Sequence, residues 1–252
     1  MQHTNLPNMD FFIGGQYLIL GGGVDGSDYD TDETPEVVEL LKTDSTPSFG
    51  KLPYPRWGSV GAMMADAPIL CGGNGFDDEG FLTWDTCIHY QNSKWSLSHT
   101  MNEKRRSTAG VKINSTVFWI LGGTGESYDN LLNSTEFIIQ DQTKGVPGPI
   151  LPYELEGTCA VKLSEKEIFV IGGADQSSYR KEVWIYDPQN DFSRSQGPSL
   201  NVGRSDHGCS TMKDGDKNVI VVVGGVGRDG ELESVEIYDP IDKTWHEGKT
   251  NY

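Results

Sequence analysis

The chain has 252 residues, enough for one large all-β domain or two smaller ones. Its 31 glycines favour many short strands joined by tight turns over long helices. Lys and Arg total 20 against 37 Asp and Glu, which gives a net charge of −17. Such a surface repels phosphate backbones and anionic lipid headgroups, so we expect neither nucleic acid nor a membrane as a partner. A basic or mixed-charge protein is the expected partner class.

The longest apolar run, Val219 to Val223, is far shorter than the roughly 20 residues of a membrane helix. Residues 11–20, FFIGGQYLIL, come nearest to a signal sequence. They lack a basic flank, and their glycines and alternating pattern favour a strand hairpin. The missing signal favours a cytoplasmic location, with secretion as the alternative. The sequence leaves the oligomeric state open.

Paired glycines close an apolar, strand-like run five times along the chain. The repeat is about 50 residues long, and the first glycine of each pair is Gly21, Gly72, Gly122, Gly172 or Gly224. In the last copy, Gly225, Gly227 and Gly230 also match the G-x-G-x-x-G spacing of a nucleotide-binding turn. That turn needs a helix after it, whereas ELESVEIYDP alternates as a strand does. We therefore expect no nucleotide site and no cofactor.

Each repeat offers four strand candidates, which we name a to d. Strand a follows a segment that often opens with Arg, and strand b ends in the glycine pair. Strand c often carries a Tyr, and strand d starts at an aromatic residue. The units of this single predicted domain cover residues 1–52, 53–102, 103–152, 153–201 and 202–252.

This pattern resembles the kelch repeat, which combines a double glycine, a Tyr in the next strand and a Trp shortly after it. The closest matches are the fifth unit, with Gly224, Gly225, Tyr238 and Trp245, and the second, with Gly72, Gly73, Tyr90 and Trp95. Substitutes for the Tyr or Trp are Leu41 and Phe49 in the first unit, Ile138 and Gly145 in the third, and Phe192 in the fourth. The resemblance implies an all-β kelch-type β-propeller of five four-stranded antiparallel blades around a central channel. The five units either close a ring or form a fragment of a longer propeller.

A more specific resemblance is to the propellers of kelch-like ubiquitin-ligase adaptors, in which the d–a segments and the b–c loops share one face. That resemblance implies that this face binds a partner peptide. The implied contact residues are Arg56, Arg105, Arg204 and His207 in the d–a segments, and Tyr128, Tyr179, Arg180 and Arg228 in the b–c loops. A ring of arginines could bind carboxylates bidentately. The alternative is that each Arg only ties neighbouring blades together.

The four cysteines form two pairs of different kinds. Cys71 and Cys87 face each other if strands b and c of the second unit form a hairpin, which permits a disulfide. Cys159 and Cys209 occupy equivalent positions on strand a of neighbouring units. Equivalent positions one blade apart are usually too distant to bridge, so we expect this pair to stay unbonded. Small buried thiols in a reducing compartment remain the alternative for both pairs.

Catalytic and metal-binding patterns are missing from the sequence. The five histidines form no H-x-H or H-E-x-x-H spacing, and no G-x-S-x-G or Cys-His signature occurs. The acidic segment at 25–36 departs from an EF-hand loop and is expected to be a solvated loop. We therefore expect a non-enzymatic interaction module that binds a protein partner, as a substrate-recognition component would. The alternatives are a small-molecule enzyme or specifier protein of the kelch type, and a secreted structural kelch protein.

Overall fold

The structure, a computed structural model, describes residues 52–54, 56–65, 67–77 and 80–248 together with the backbone of three strands between residues 9 and 41. The regular secondary structure in these residues is entirely β-strand. No helix in them is long and apolar enough to cross a membrane. The acidic segment at 25–36 lies outside the described residues.

The strands form five main sheets and two short hairpins. Sheet 1 contains β1 (Met9–Ile13), β2 (Gln16–Leu20) and β3 (Val38–Leu41). Sheet 2 contains β4 (Val60–Met64), β5 (Ala67–Cys71), β8 (Thr86–Gln91) and β9 (Lys94–Thr100), with the hairpin β6 (Asn74–Asp77) and β7 (Gly80–Thr83) inserted after β5. Sheet 3 contains β10 (Ala109–Asn114), β11 (Val117–Leu121), β12 (Thr135–Ile139) and β13 (Val146–Pro147).

Sheet 4 contains β14 (Cys159–Ser164), β15 (Glu167–Ile171), β16 (Val183–Asp187) and β17 (Ser193–Gln196). Sheet 5 contains β18 (Gly208–Asp214), β19 (Lys217–Val223), β22 (Val235–Asp239) and β23 (Thr244–Glu247), with the hairpin β20 (Val226–Gly227) and β21 (Gly230–Glu231) inserted after β19. Each sheet lies within one of the five units drawn from the sequence.

Sheets 2 to 5 are antiparallel meanders that run from strand a to strand d in chain order, and the three described strands of sheet 1 follow one another in the same way. A fourth strand of sheet 1 would fall on residues outside the described part. The a strands of successive sheets pack side by side, so that β4 lies between β1 and β10, and β14 lies between β10 and β18. The sheets are therefore arranged radially about the a strands, as in a propeller. No comparable packing joins β18 to β1 among the described strands.

In sheets 2 to 4, the glycine pair is the point where the sheet meets the main chain of the next one. A Cβ built on Gly172 would lie 2.7 Å from the carbonyl oxygen of Arg204, and Gly173 donates its N–H to the same oxygen at 2.8 Å. Because a side chain at this place would collide with backbone, the repeat requires glycine there. The same contacts join Gly72 and Gly73 to Arg105, and Gly122 and Gly123 to Leu155.

Farther from the axis, apolar side chains fill the space between neighbouring sheets. The interface of sheets 4 and 5 combines Phe169, Ile171 and Val183 of sheet 4 with Ile220, Val222, Tyr238 and Trp245 of sheet 5. The rings of Phe169 and Tyr238 lie 5.0 Å apart. The Trp245 indole N–H donates to the Pro198 carbonyl at 2.8 Å, so its polar atom is satisfied. The Tyr and Trp of the repeat are therefore packing residues.

Two disulfides join the four cysteines. Cys71 pairs with Cys87 across β5 and β8, with a Cα–Cα distance of 4.0 Å. Cys159 of β14 is bonded to Cys209 of β18, with a Cα–Cα distance of 6.1 Å. The expectation that this second pair is too distant was wrong. Strands a of neighbouring sheets converge at the axis, where equivalent residues come within disulfide range.

Candidate functional site

The b–c loops and the d–a segments lie side by side on one face of the propeller, which we call the loop face. Single antiparallel bridges connect the two kinds of segment in sheets 2 to 5. These bridges pair Trp57 with Asn74, Arg106 with Thr124, Glu156 with Ala174, and Ser205 with Val226. The shared face that the sequence resemblance implied is therefore present, and all the predicted contact residues lie in its segments.

At the centre of the loop face, the turns that precede the a strands are joined by backbone hydrogen bonds. The N–H of Ser107 donates to the Gly58 carbonyl at 2.9 Å, Gly157 to Ser107 at 2.9 Å, and Asp206 to Gly157 at 2.8 Å. All four residues have positive φ angles, from 47° at Ser107 to 64° at Gly58. Sheets 2 to 5 each have a left-handed residue here, because the turn must bring its backbone within hydrogen-bonding distance of the equivalent turn in the next sheet.

Arg105 is fully buried and makes its contacts within the fold. Its guanidinium donates to the carbonyls of Gly122 and Ser134 and pairs with Glu136 at 2.9 Å. Glu136 also accepts from the backbone N–H of Asn102 at 2.6 Å, so the carboxylate connects strand c to the d–a segment. A buried pair of this kind is strongly hydrogen-bonded on both sides, as charges out of water must be.

Sheet 5 repeats this arrangement, because Arg204 pairs with Glu236 at 2.8 Å and Glu236 accepts from the N–H of Asn201 at 2.7 Å. In sheet 2, where the position of the acid holds Ile88, Arg56 instead donates to the Thr86 carbonyl at 2.8 Å and to the Thr86 hydroxyl. In sheet 4, Leu155 replaces the arginine and Trp184 replaces the acid. The two sheets that bury a Glu at this position of strand c, sheets 3 and 5, also have the Arg that pairs with it, as a structural ion pair requires.

His207 is also buried, and its ring lies between sheets 4 and 5. A Cβ built on Gly172 would lie 3.0 Å from the Cε1 atom of His207. Burial, together with the positive charge of Arg204, lowers the pKa of His207 to about 3. The imidazole is therefore neutral at physiological pH and adds no charge to the loop face.

These positions correct half of the predicted contact set. Arg56, Arg105, Arg204 and His207 are all buried, and a partner cannot reach guanidinium groups that are packed beneath the loops. The alternative weighed from the sequence, that the arginines hold the propeller together, describes them. Desolvation by burial lowers the pKa of Arg56 to about 10.

Tyr128 of the sheet 3 b–c loop is highly exposed, with 75% of its surface accessible. The guanidinium of Arg106 lies 4.1 Å from the centre of its ring. Arg106 is buried and donates to the Gly125 carbonyl at 3.3 Å and to the Thr83 hydroxyl at 3.4 Å. Sequence reasoning chose the preceding residue, Arg105, of the Arg-Arg pair and missed Arg106, whose stacking partner lies in a distant loop.

Arg180, Tyr179 and Arg228 complete the predicted b–c loop set. Arg180 forms an ion pair with Asp175, and its guanidinium lies 4.7 Å from the ring centre of Tyr153. Its positive charge is therefore partly neutralised within the protein. Burial alone would raise the pKa of Asp175, but hydrogen bonds from Ser177, Ser178 and Arg180 outweigh it and hold that pKa well below its usual value. Tyr179 and Arg228 are exposed.

The sequence did not single out an aromatic cluster on the loop face of sheet 2. The ring centres of Trp57, Phe76 and Phe81 lie 5.5 to 6.0 Å apart. Phe76 and Phe81 are cross-strand partners in the hairpin β6–β7 and are both exposed. The FDDEGF pattern of the hairpin, with two aromatics around an acidic tip, was a signal that could have pointed to them.

Among the described residues, no group of three or more His, Cys, Asp or Glu is arranged to hold a metal ion. The described part of the loop face carries exposed aromatic rings, acids and a few cations.

Comparison with known proteins identifies the class of this fold. Residues 215–251 match the family model described as the Kelch motif. A search of curated protein sequences finds no significant match. Among solved structures, the chain is similar to YjhT, with a TM-score of 0.80 and 12% sequence identity over 98% of this chain and 84% of that one. The fold of the chain is that of a kelch-type β-propeller, as the glycine pairs predicted.

Proposed function

We propose that this protein is a non-enzymatic interaction module that binds a peptide or loop of a protein partner on its loop face. The observation that carries the proposal is the exposure of Tyr128 above the buried Arg106, with Tyr179 and Arg228 also exposed on the same face. Exposed Tyr residues on rigid supports are typical contact residues, because they bury a large area at a small cost in conformational entropy.

The fold supports this use of the loop face. The residues beneath the loops are fixed by buried ion pairs and backbone bridges, so the b–c loops project from a rigid base. Binding residues carried by loops on a rigid scaffold are already arranged before the partner arrives, which lowers the entropic cost of association.

The test is a double replacement, Tyr128→Ala with Tyr179→Ala, in the tagged chain. Partners captured from an extract would be quantified by mass spectrometry, and we expect the affinity for a true partner to fall about tenfold. Ile241→Ala is the matched control, because Ile241 is 78% exposed but lies in the c–d turn on the opposite face. Equal capture by the wild type, the double variant and the control would refute the proposal.

A further inference from the structure

The chain contains two Asn-Ser-Thr triplets, at residues 114–116 and 133–135. This triplet is the acceptor sequence for N-linked glycosylation, a modification that adds a bulky polar sugar to the asparagine side chain. It is used only in proteins that pass through the secretory pathway, and only where the asparagine can remain at the surface after folding. The exposure of the two triplets and the pairing of the cysteines therefore decide whether either one is a modification site.

The first triplet forms the turn between β10 and β11 of sheet 3. Asn114, Ser115 and Thr116 are all exposed. The backbone N–H and the hydroxyl of Thr116 both donate to Oδ1 of Asn114, at 2.9 and 3.0 Å. No hydrogen bond within the described residues involves Nδ2 of Asn114, the atom that would carry a sugar. A glycan on this atom therefore lies in water and displaces nothing from the core.

The backbone of this turn is held by the neighbouring sheets. The Ser115 carbonyl accepts from the N–H of Ala65 in sheet 2 at 2.9 Å, and the Ile113 carbonyl accepts from the ammonium group of Lys162 in sheet 4 at 2.7 Å. The turn precedes β11 and the glycine pair follows it, so the turn lies on the face opposite to the loop face. A glycan there leaves the loop face uncovered.

The second triplet is packed into sheet 3. Thr135 is buried, and its hydroxyl accepts from the Trp119 indole N–H at 2.9 Å and donates to the Pro149 carbonyl at 2.8 Å. Asn133 itself is only partly exposed, and Leu132 before it is buried. A sugar on Asn133 would have to fit between these core residues. Chains that carry one there should not reach the folded, secreted protein.

The cysteines indicate the compartment. All four cysteines of the chain are paired, as Cys71–Cys87 and Cys159–Cys209. Disulfides form and persist in oxidising compartments such as the lumen of the endoplasmic reticulum, and they are rare in the cytosol. The pairing therefore favours the secreted alternative over a cytoplasmic location, and N-linked glycosylation takes place in that same lumen.

We propose that Asn114 carries an N-linked glycan and that Asn133 does not. The inference goes beyond the proposed function and does not depend on it. In the transfer, Nδ2 of Asn114 forms a bond to the anomeric carbon of an oligosaccharide that is carried on a polyisoprenyl pyrophosphate. The bond from that carbon to the pyrophosphate oxygen breaks, the lipid pyrophosphate leaves with the electron pair, and one amide proton passes to a base of the transferase.

The test secretes the chain from cultured eukaryotic cells behind a cleavable leader, and compares its gel mobility before and after digestion with a peptide N-glycosidase. We expect the wild type to lose one glycan. Thr116→Ala destroys the first triplet but keeps Asn114, so the secreted variant should carry no glycan. Ser115→Ala is the matched control, because it changes the exposed middle residue and keeps the triplet. It should carry one glycan, as should Asn133→Gln.

Peptide mass spectrometry of the digested wild type identifies the site directly, because the digestion converts a glycosylated asparagine to aspartate. This measurement decides the inference even if a variant does not fold. Secreted wild-type protein without a glycan on Asn114 would overturn it. A glycan on Asn133 in as large a share of the molecules would also overturn it, because the structure would then not distinguish the two triplets.

Discussion

Sheets 4 and 5 present equivalent apolar faces in the same direction around the propeller, and the two faces have different surroundings. On sheet 4, Ile171 is fully buried because Ile220 and Val222 of sheet 5 cover it. On sheet 5 the equivalent residue is Val223, which is 49% exposed. Met212, on the same face but nearer the other end of the β18–β19 pair, is 52% exposed. Among the described residues, no sheet covers this face of sheet 5.

The glycine pairs differ in the same way. Gly172 and Gly224 both have positive φ angles, 59° and 63°. A Cβ on Gly172 would collide with the Arg204 carbonyl, whereas a Cβ on Gly224 would meet only the Leu232 carbonyl at 3.4 Å. The comparison teaches that a repeat unit supplies half of each interface, and that the neighbouring unit decides whether an apolar position becomes core.

The largest expected effect concerns the Cys159–Cys209 disulfide, which ties sheet 5 to sheet 4. Cys159→Ser should lower the free energy of unfolding by about 4 kcal/mol, because the bond closes a loop of 50 residues in the unfolded chain. Urea unfolding without reductant measures the loss. Amide hydrogen exchange should accelerate more in β18 and β19 than in β10 and β11, which are packed on both sides.

Cys71→Ser is the control for this prediction, because its bridge lies within sheet 2. That variant should leave exchange in β18 and β19 unchanged. An intact protein mass without reductant reports whether both bonds are present, and the detection of free thiols at Cys159 and Cys209 would contradict the structure.

The next effect compares the two glycines. Gly172→Ala should lower the free energy of unfolding by about 3 kcal/mol, since it combines left-handed backbone strain with a collision against the Arg204 carbonyl. Gly224→Ala carries the strain alone and should cost about 1 kcal/mol. Thermal unfolding of the two variants measures the difference. Equal losses would mean that a further sheet packs against Gly224 in solution.

The smallest effect compares adjacent valines of β19. Val222 is fully buried against sheet 4, so Val222→Ala should lower the free energy of unfolding by about 2 kcal/mol. Val223 points to the open side, so Val223→Ala should change it by no more than about 0.5 kcal/mol. A loss at Val223 as large as that at Val222 would show that this face is covered, by sheet 1 or by a second molecule.

Some features of the fold and of the site could be predicted from the sequence, and others could not. The sequence predicted the five sheets and their strand order, because period-two alternation and glycine pairs are local properties. It misjudged Cys159 and Cys209, since the distance between equivalent residues depends on how closely neighbouring sheets converge. In the site, it chose the buried Arg105 and missed Arg106 and the Phe76–Phe81 pair, because exposure is set by residues far away in the chain.

The sequence by itself determined the repeat, the antiparallel order of strands within each sheet and the need for glycine where sheets meet. Those features depend on side-chain periodicity and backbone conformation, which neighbouring residues dictate. The tertiary structure alone decided which apolar face is covered, which arginines form buried pairs with Glu136 and Glu236, and which rings remain at the surface. Each of these depends on contacts between residues of different sheets or distant strands. In such a contact, one side chain decides whether the other is exposed to water.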